Sequence, residues 1–169
     1  MNVVLIAQDN RKELMTEFCI AYANILKNCD LFATATTGSY ITDVTSLAVQ
    51  KFSPGGLGGE QQVRSRIDLN EIDLLICFRD PLSKEPDYDE YQLFRRCDMN
   101  NIPYATNLAT AEIMIKGFER GDLDWRELVR PIKAEKPVVQ IKKVRTRRSK
   151  TVLEKRKKAG ENDPVREKP

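Results

Sequence analysis

A chain of 169 residues that is 41% hydrophobic and 31% charged suits one ordinary domain plus an appendage, and is too short for two comfortable cores. No apolar run approaches the ~18 residues of a membrane span, so no spanning helix is expected. The sequence holds no histidine, so any acid–base chemistry must run on carboxylates, lysine, cysteine or tyrosine.

The N-terminal MNVVLIAQDN lacks a basic n-region and a small-residue cleavage site, so VVLIA (3–7) reads as a buried strand rather than a signal peptide. The segment RKELMTEFCIAYANILK (11–27) then sets Leu14, Phe18, Ala21, Tyr22 and Ile25 at helical spacing. A second strand, DLFAT (30–34), leads into the turn-rich TTGSY and a helix through Ile41, Val44 and Leu47. A weak third strand lies near 49–52, followed by a glycine loop and a helix from Glu60 to about Leu69. DLLICF (73–78) is the most continuous apolar run, the signature of a parallel strand covered on both faces. Tyr88 to Asn101 reads as helix, IPYAT (102–106) as strand and Ala109 to Gly117 as a final helix. Five strand–helix alternations predict an α/β fold with a doubly wound, five-stranded parallel sheet flanked by helices.

After DWRELVRP the pattern stops. Residues 1–130 carry 14 Lys+Arg against 20 Asp+Glu, net −6, whereas residues 131–169 carry 14 against 5, net +9. We therefore divide the chain into a domain over 1–130 and a basic, flexible tail over 131–169. The tail is expected to be disordered, with transient helix around 149–158, because it has too little apolar surface to offset its ordering entropy. Its basic residues, Lys142 to Lys150 and Lys155 to Lys158, could neutralise nucleic-acid phosphates weakly and without sequence preference. A solubilising or oligomer-contacting extension explains them as well, and no aromatic residue interleaves them for base stacking. The four cysteines, Cys19, Cys29, Cys77 and Cys97, form no C-x-x-C pair. They read as reduced thiols of a cytoplasmic protein, with no metal site expected.

In a doubly wound sheet, ligands bind outside the carboxyl ends of the strands. The loops leaving those ends carry Gln8-Asp9-Asn10-Arg11-Lys12, then Thr34-Ala35-Thr36-Thr37-Gly38, the glycine loop with Glu60, Arg79-Asp80-Pro81 and Thr106-Asn107. Thr36, Thr37 and Gly38 ahead of a helix offer hydroxyls and backbone N–H groups that suit a phosphate, and Thr caps a helix equally well. Lys12 could supply counter-charge, or simply be solvated. Asp9, Asp80 and Glu60 would gather beside this pocket, and a carboxylate near a phosphate clamp suggests proton transfer rather than affinity.

LIAQDNRK (5–12), ATATTG (33–38), GGLGGEQQV (55–63), DPL (80–82) and IPYATNLATAE (102–112) occur in the order and spacing of bacterial methylglyoxal synthases. Over roughly residues 1–120 the chain resembles that family. The resemblance implies conversion of dihydroxyacetone phosphate to methylglyoxal and phosphate, without metal or organic cofactor, in a homo-oligomer that is commonly a hexamer. Carried over by position, Lys12, Thr34, Thr36, Thr37 and Gly55 would hold the phosphate. Glu60 stands where the family has its catalytic Asp, and Asp9 and Asp80 match its other pocket acids.

The chain also departs from the family pattern. Gln8 and Asp87 stand at histidine positions, and Pro54 stands at the phosphate-binding serine beside the glycine loop. Glu60 is one methylene longer than the family's base. These departures motivate an alternative: a domain of the same fold that binds a small phosphorylated metabolite as a sensor, without turnover.

Overall fold

The computed structural model describes residues 1–83 and 88–129. Five parallel strands, β1 (Asn2–Ala7), β2 (Asp30–Ala33), β3 (Val49–Lys51), β4 (Leu74–Phe78) and β5 (Tyr104–Ala105), lie in the order β3-β2-β1-β4-β5. The helices are α1 (Lys12–Ala21), α2 (Ala23–Leu26), α3 (Ala35–Val44), α4 (Gly59–Asp68), α5 (Tyr88–Met99), α6 (Leu108–Glu119) and α7 (Arg126–Val129). The tail expectations for 131–169 and the position of Asp87 lie outside the described residues.

The period of two along β1 explains why its apolar run is unbroken. Val3, Leu5 and Ala7 enter one core with Met15 and Phe18 of α1, Ile41 of α3 and Ile115 of α6. Val4 and Ile6 point the other way, into a core with Val63 and Ile67 of α4 and Leu93, Phe94 and Cys97 of α5. β4 divides in the same manner, with Leu74, Ile76 and Phe78 on the first face and Leu75 and Cys77 on the second. Both faces of a central parallel strand must be apolar, and both are. Burial pushes the Cys19 and Cys97 thiols up to about 12, so both behave as inert hydrophobes.

Three boundaries differ from the sequence expectation. The helix expected over 11–27 divides into a 3-10 turn, Asp9–Arg11, then α1 and the short α2, with Tyr22 off the helical path at φ −109°. Threonine, glycine and serine in TTGSY suggest a turn, yet these residues form the first turns of α3, which starts at Ala35 and stops before Leu47. α7 was not expected at all, since four residues carry too little periodicity to register.

α7 is held by a buried cation at the amino edge of the sheet. Arg126 is fully buried and donates through Nη1 to the carbonyl of Asn101 (2.5 Å) and through Nη2 to Asn70 Oδ1 (2.8 Å) and the carbonyl of Ile72 (3.1 Å). Its Nε lies 3.6 Å from Asp73, an ion-pair distance, and Asp73 also accepts from the Asn2 backbone N–H at 2.7 Å. One guanidinium thus joins the segments entering β4 and β5, and Asp73 carries the link on to β1. Removing one partner of a buried pair strands the other in low dielectric. Arg126→Ala should therefore cost about 3–5 kcal/mol, read as a lower urea midpoint at unchanged slope.

Candidate active site

Because all five strands are parallel, their carboxyl ends open on one edge. A cavity of ≈450 Å³ sits there, lined by Ile6, Ala7, Gln8, Asp9, Lys12, Thr34, Thr36, Pro54, Gly55, Gly56, Glu60 and Glu90. Helical backbone starts at this cavity three times: at Asp9 after β1, at Ala35 after β2 and at Gly55 after β3. None of the three is capped by the side chain that precedes it, whether Gln8, Thr34 or Pro54. Uncapped first turns present donor N–H groups, and the ten-residue α3 adds partial positive charge at its start, which favours an anion. Lys12 adds a full charge. Its side chain is only 9% exposed, and Nζ is hydrogen-bonded to Oδ1 of Asp9, whose side chain is 97% exposed.

The glycine loop owes its shape to two carbonyls. The Pro54 carbonyl accepts from the N–H groups of Leu57 (2.9 Å) and Gly59 (3.0 Å), folding the chain back into α4. Gly58 takes φ +92°, in the left-handed region that side chains disfavour. At Gly59 the reason is closeness: a Cβ there would stand 2.0 Å from the Ser53 carbonyl oxygen. The turn delivers Glu60, in the first turn of α4, to the cavity. Its Oε1 would lie 3.3 Å from a Cβ placed on Gly55, so the carboxylate packs against bare backbone.

The other expected residues divide by position. Thr34 and Thr36 line the cavity, but Thr37 is buried behind it, accepting from Thr34 Oγ1 (3.2 Å) and donating to the Ala7 carbonyl (3.4 Å). Gly38 is also buried; a Cβ would meet Lys51 Cγ at 2.9 Å, so its smallness lets α3 lie close to β3. Asp80 lines a neighbouring cavity of ≈470 Å³ instead, together with Arg11, Arg79, Pro81, Ser83 and Asn107. It accepts from the Leu82 N–H (3.0 Å) and from Asn10 Nδ2 (2.8 Å), with Arg11 at 3.6 Å. Gln8 borders both cavities, at the point between β1 and β4 where the strand order reverses.

Sequence reasoning missed Glu90. This carboxylate, 3% exposed, reaches the first cavity from α5, accepting from Gln8 Nε2 at 2.8 Å and pairing with Arg79 Nε at 2.6 Å. An acid in the first turn of a helix ordinarily reads as a dipole partner, which hid it. Among the described residues, no group of His, Cys, Asp and Glu is placed to hold a metal ion, and no helix is long and apolar enough to cross a membrane.

Comparison with known proteins identifies relatives of this chain. A family model described as the MGS-like domain matches residues 15–106. The methylglyoxal synthase of Caldicellulosiruptor saccharolyticus is 54% identical over 132 residues, covering 78% of this chain and 94% of that protein. The chain belongs to the methylglyoxal synthase family. The methylglyoxal synthase of Brevibacillus brevis is 50% identical over 131 residues, 77% of this chain and 96% of its own. The crystal structure of the Elizabethkingia anophelis methylglyoxal synthase superposes with a TM-score of 0.63 at 32% identity, covering 68% of this chain and 76% of that one.

Two predictions follow from the site's own forces. Gly59→Ala must displace the Ser53 carbonyl and should cost about 1–3 kcal/mol by thermal unfolding, whereas Gly56→Ala, with nothing within 4 Å, should stay within about 0.5 kcal/mol. The Lys12 hydrogen bond and charge hold Asp9 below the ordinary carboxylate range, and the Leu82 N–H and Asn10 do the same for Asp80. Depressed values mean that both contributions are present above the unfolded pKa of about 3.9 and are lost as pH falls through the lower folded values. Carboxyl NMR titration should place both midpoints below that of a free Asp.

Proposed function

We propose that this chain is a methylglyoxal synthase, converting dihydroxyacetone phosphate to methylglyoxal and inorganic phosphate. The observation that carries this is the convergence of three uncapped helical N-termini and Lys12 on the same ≈450 Å³ cavity that receives Glu60. The cation and the amides of the Thr34–Thr36 and Gly55–Gly56 segments hold the phosphate. Thr37 and Gly38 act behind them, bracing α3 against β1 and β3. Pro54 supplies no N–H of its own; its contribution is the carbonyl that closes the glycine turn.

With the phosphate anchored, Glu60 takes a proton from the hydroxyl-bearing carbon. The C–H electron pair becomes the C=C bond of an enediolate, and the carbonyl oxygen takes the negative charge. An N–H from Gln8 Nε2 stabilises that oxygen. The hydroxyl on the deprotonated carbon then passes its proton to the departing phosphate and becomes the aldehyde carbonyl, while the C=C shifts toward the phosphate-bearing carbon and the C–O bond there breaks. The enolate left behind takes the proton held by Glu60 at that carbon to become methylglyoxal. Proximity of base and anchored substrate provides much of the rate. Asp9 holds Lys12 in place, and Asp80 fixes the strand-four loop beside Gln8.

Purified protein given dihydroxyacetone phosphate should release phosphate and methylglyoxal in equal amounts. Glu60→Gln should lower kcat by about 10²–10⁴ while KM changes little, and Lys12→Met should act mainly by raising KM. Absence of product from the wild type would overturn the lyase assignment; saturable binding of phosphate esters without product would then establish the sensor reading. Product formation near the wild-type rate after Glu60→Gln would remove Glu60 as the base.

A further inference from the structure

Gln8 is held from both ends. Its Oε1 accepts the Asp80 backbone N–H at 2.6 Å, and its Nε2 donates to Glu90 Oε1 at 2.8 Å. Only the carbonyl end of an amide can accept from a backbone N–H, and only the amino end can donate to a carboxylate, so the two partners agree on one orientation. That orientation spends the carbonyl oxygen on the strand-four loop and leaves the second Nε2 hydrogen as the group Gln8 can offer to a ligand. The reverse orientation would turn a carbonyl oxygen toward Glu90, a repulsive contact, and would offer the cavity an acceptor where the enediolate oxygen needs a donor.

Glu90 is in turn anchored by Arg79, whose Nε lies 2.6 Å from Oε2 and whose guanidinium lies 5.5 Å over the Phe94 ring. Glu90 is 3% exposed and comes from α5, 82 residues from Gln8 in the chain. A carboxylate is costly to bury and is retained where it makes several contacts.

We propose that Glu90 is a positioning residue for the reaction: with the Asp80 backbone N–H it locks the Gln8 amide so that a donor faces the substrate's carbonyl oxygen. This rests on the lyase reading above, and it adds to that reading a second carboxylate that acts through Gln8 rather than on substrate. The phosphate clamp of Lys12 and the Thr34–Thr36 segment is separate from this chain of contacts, so the effect should fall on turnover and not on affinity.

The test is a double-mutant cycle on kcat with dihydroxyacetone phosphate. Glu90→Gln, which can hydrogen-bond to Gln8 in either amide orientation, should lower kcat by about tenfold to a hundredfold with KM within about threefold. Glu90→Asp should retain part of the rate. In a Gln8→Met background, Glu90→Gln should change kcat by less than about twofold, because the group it orients is gone. A folded Glu90→Gln protein with wild-type kcat, or the same loss in both backgrounds, would overturn the positioning role. A merely structural role would instead lower the unfolding midpoint without the split between kcat and KM. If Glu90→Gln does not fold, Arg79→Gln replaces it in the same cycle, with non-additivity supporting the proposal and additivity overturning it. Wild-type turnover is measured first: its absence removes the lyase reading and this proposal together, whereas its presence beside an unchanged Glu90→Gln removes the positioning role alone.

Discussion

The Pro54 carbonyl oxygen accepts two backbone N–H groups, from Leu57 and Gly59, and most of the site depends on that small clasp. It reverses the chain within five residues after β3, a three-residue edge strand that could not otherwise aim a helix. The reversal brings the start of a 3-10 turn and the start of α4 to the cavity one after the other, the first offering amides and the second offering Glu60. The clasp requires Gly59, because the Ser53 carbonyl occupies the space a Cβ would need. A hydroxyl at position 54 is unnecessary to this arrangement. What position 54 must provide is a carbonyl in the right place, and proline, with its fixed φ, holds one well.

Much of the fold was legible because it is written in short-range patterns. Unbroken apolar runs at 3–7 and 73–78 can satisfy neither a half-exposed strand nor an amphipathic helix, so they imply parallel strands covered on both faces. The loops at the carboxyl ends were legible for the same reason, and the sequence pattern placed Asp9, Lys12, Thr34, Thr36, Gly55 and Glu60 near one another, as they are found. What was not legible is contact between segments far apart in the chain. Nothing in an eighty-residue separation announces that Glu90 meets Gln8, or that Arg126 reaches Asn70 and Ile72. Asp80 illustrates the finer limit: its loop was placed correctly, but which of two adjacent cavities it borders depends on hydrogen bonds to Asn10 and Leu82.

The mixture of charges around the cavity is consistent with separated roles. Lys12 is largely buried, and a desolvated ammonium needs a counter-charge nearby. Asp9 provides one from a position almost wholly in water, so its carboxylate can give way to a phosphate at little cost, while Lys12 loses no pairing in the exchange. Glu90 is the opposite case. Buried and tied to Gln8 and Arg79, it contributes a fixed charge that the adjacent guanidinium partly offsets.

Glu60 then differs from both. Half-exposed at the mouth of the turn, it packs over the bare backbone of Gly55. On the proposed lyase reading a base must lie close to the anchored substrate, and glycine beneath it lets the glutamate lie flat where a side chain would lift it away. The glycines and the glutamate therefore act as one feature. On the proposed lyase reading, backbone without side chains lets the phosphate approach and lowers the carboxylate toward it, so one loop serves both the anion and the acid–base group beside it.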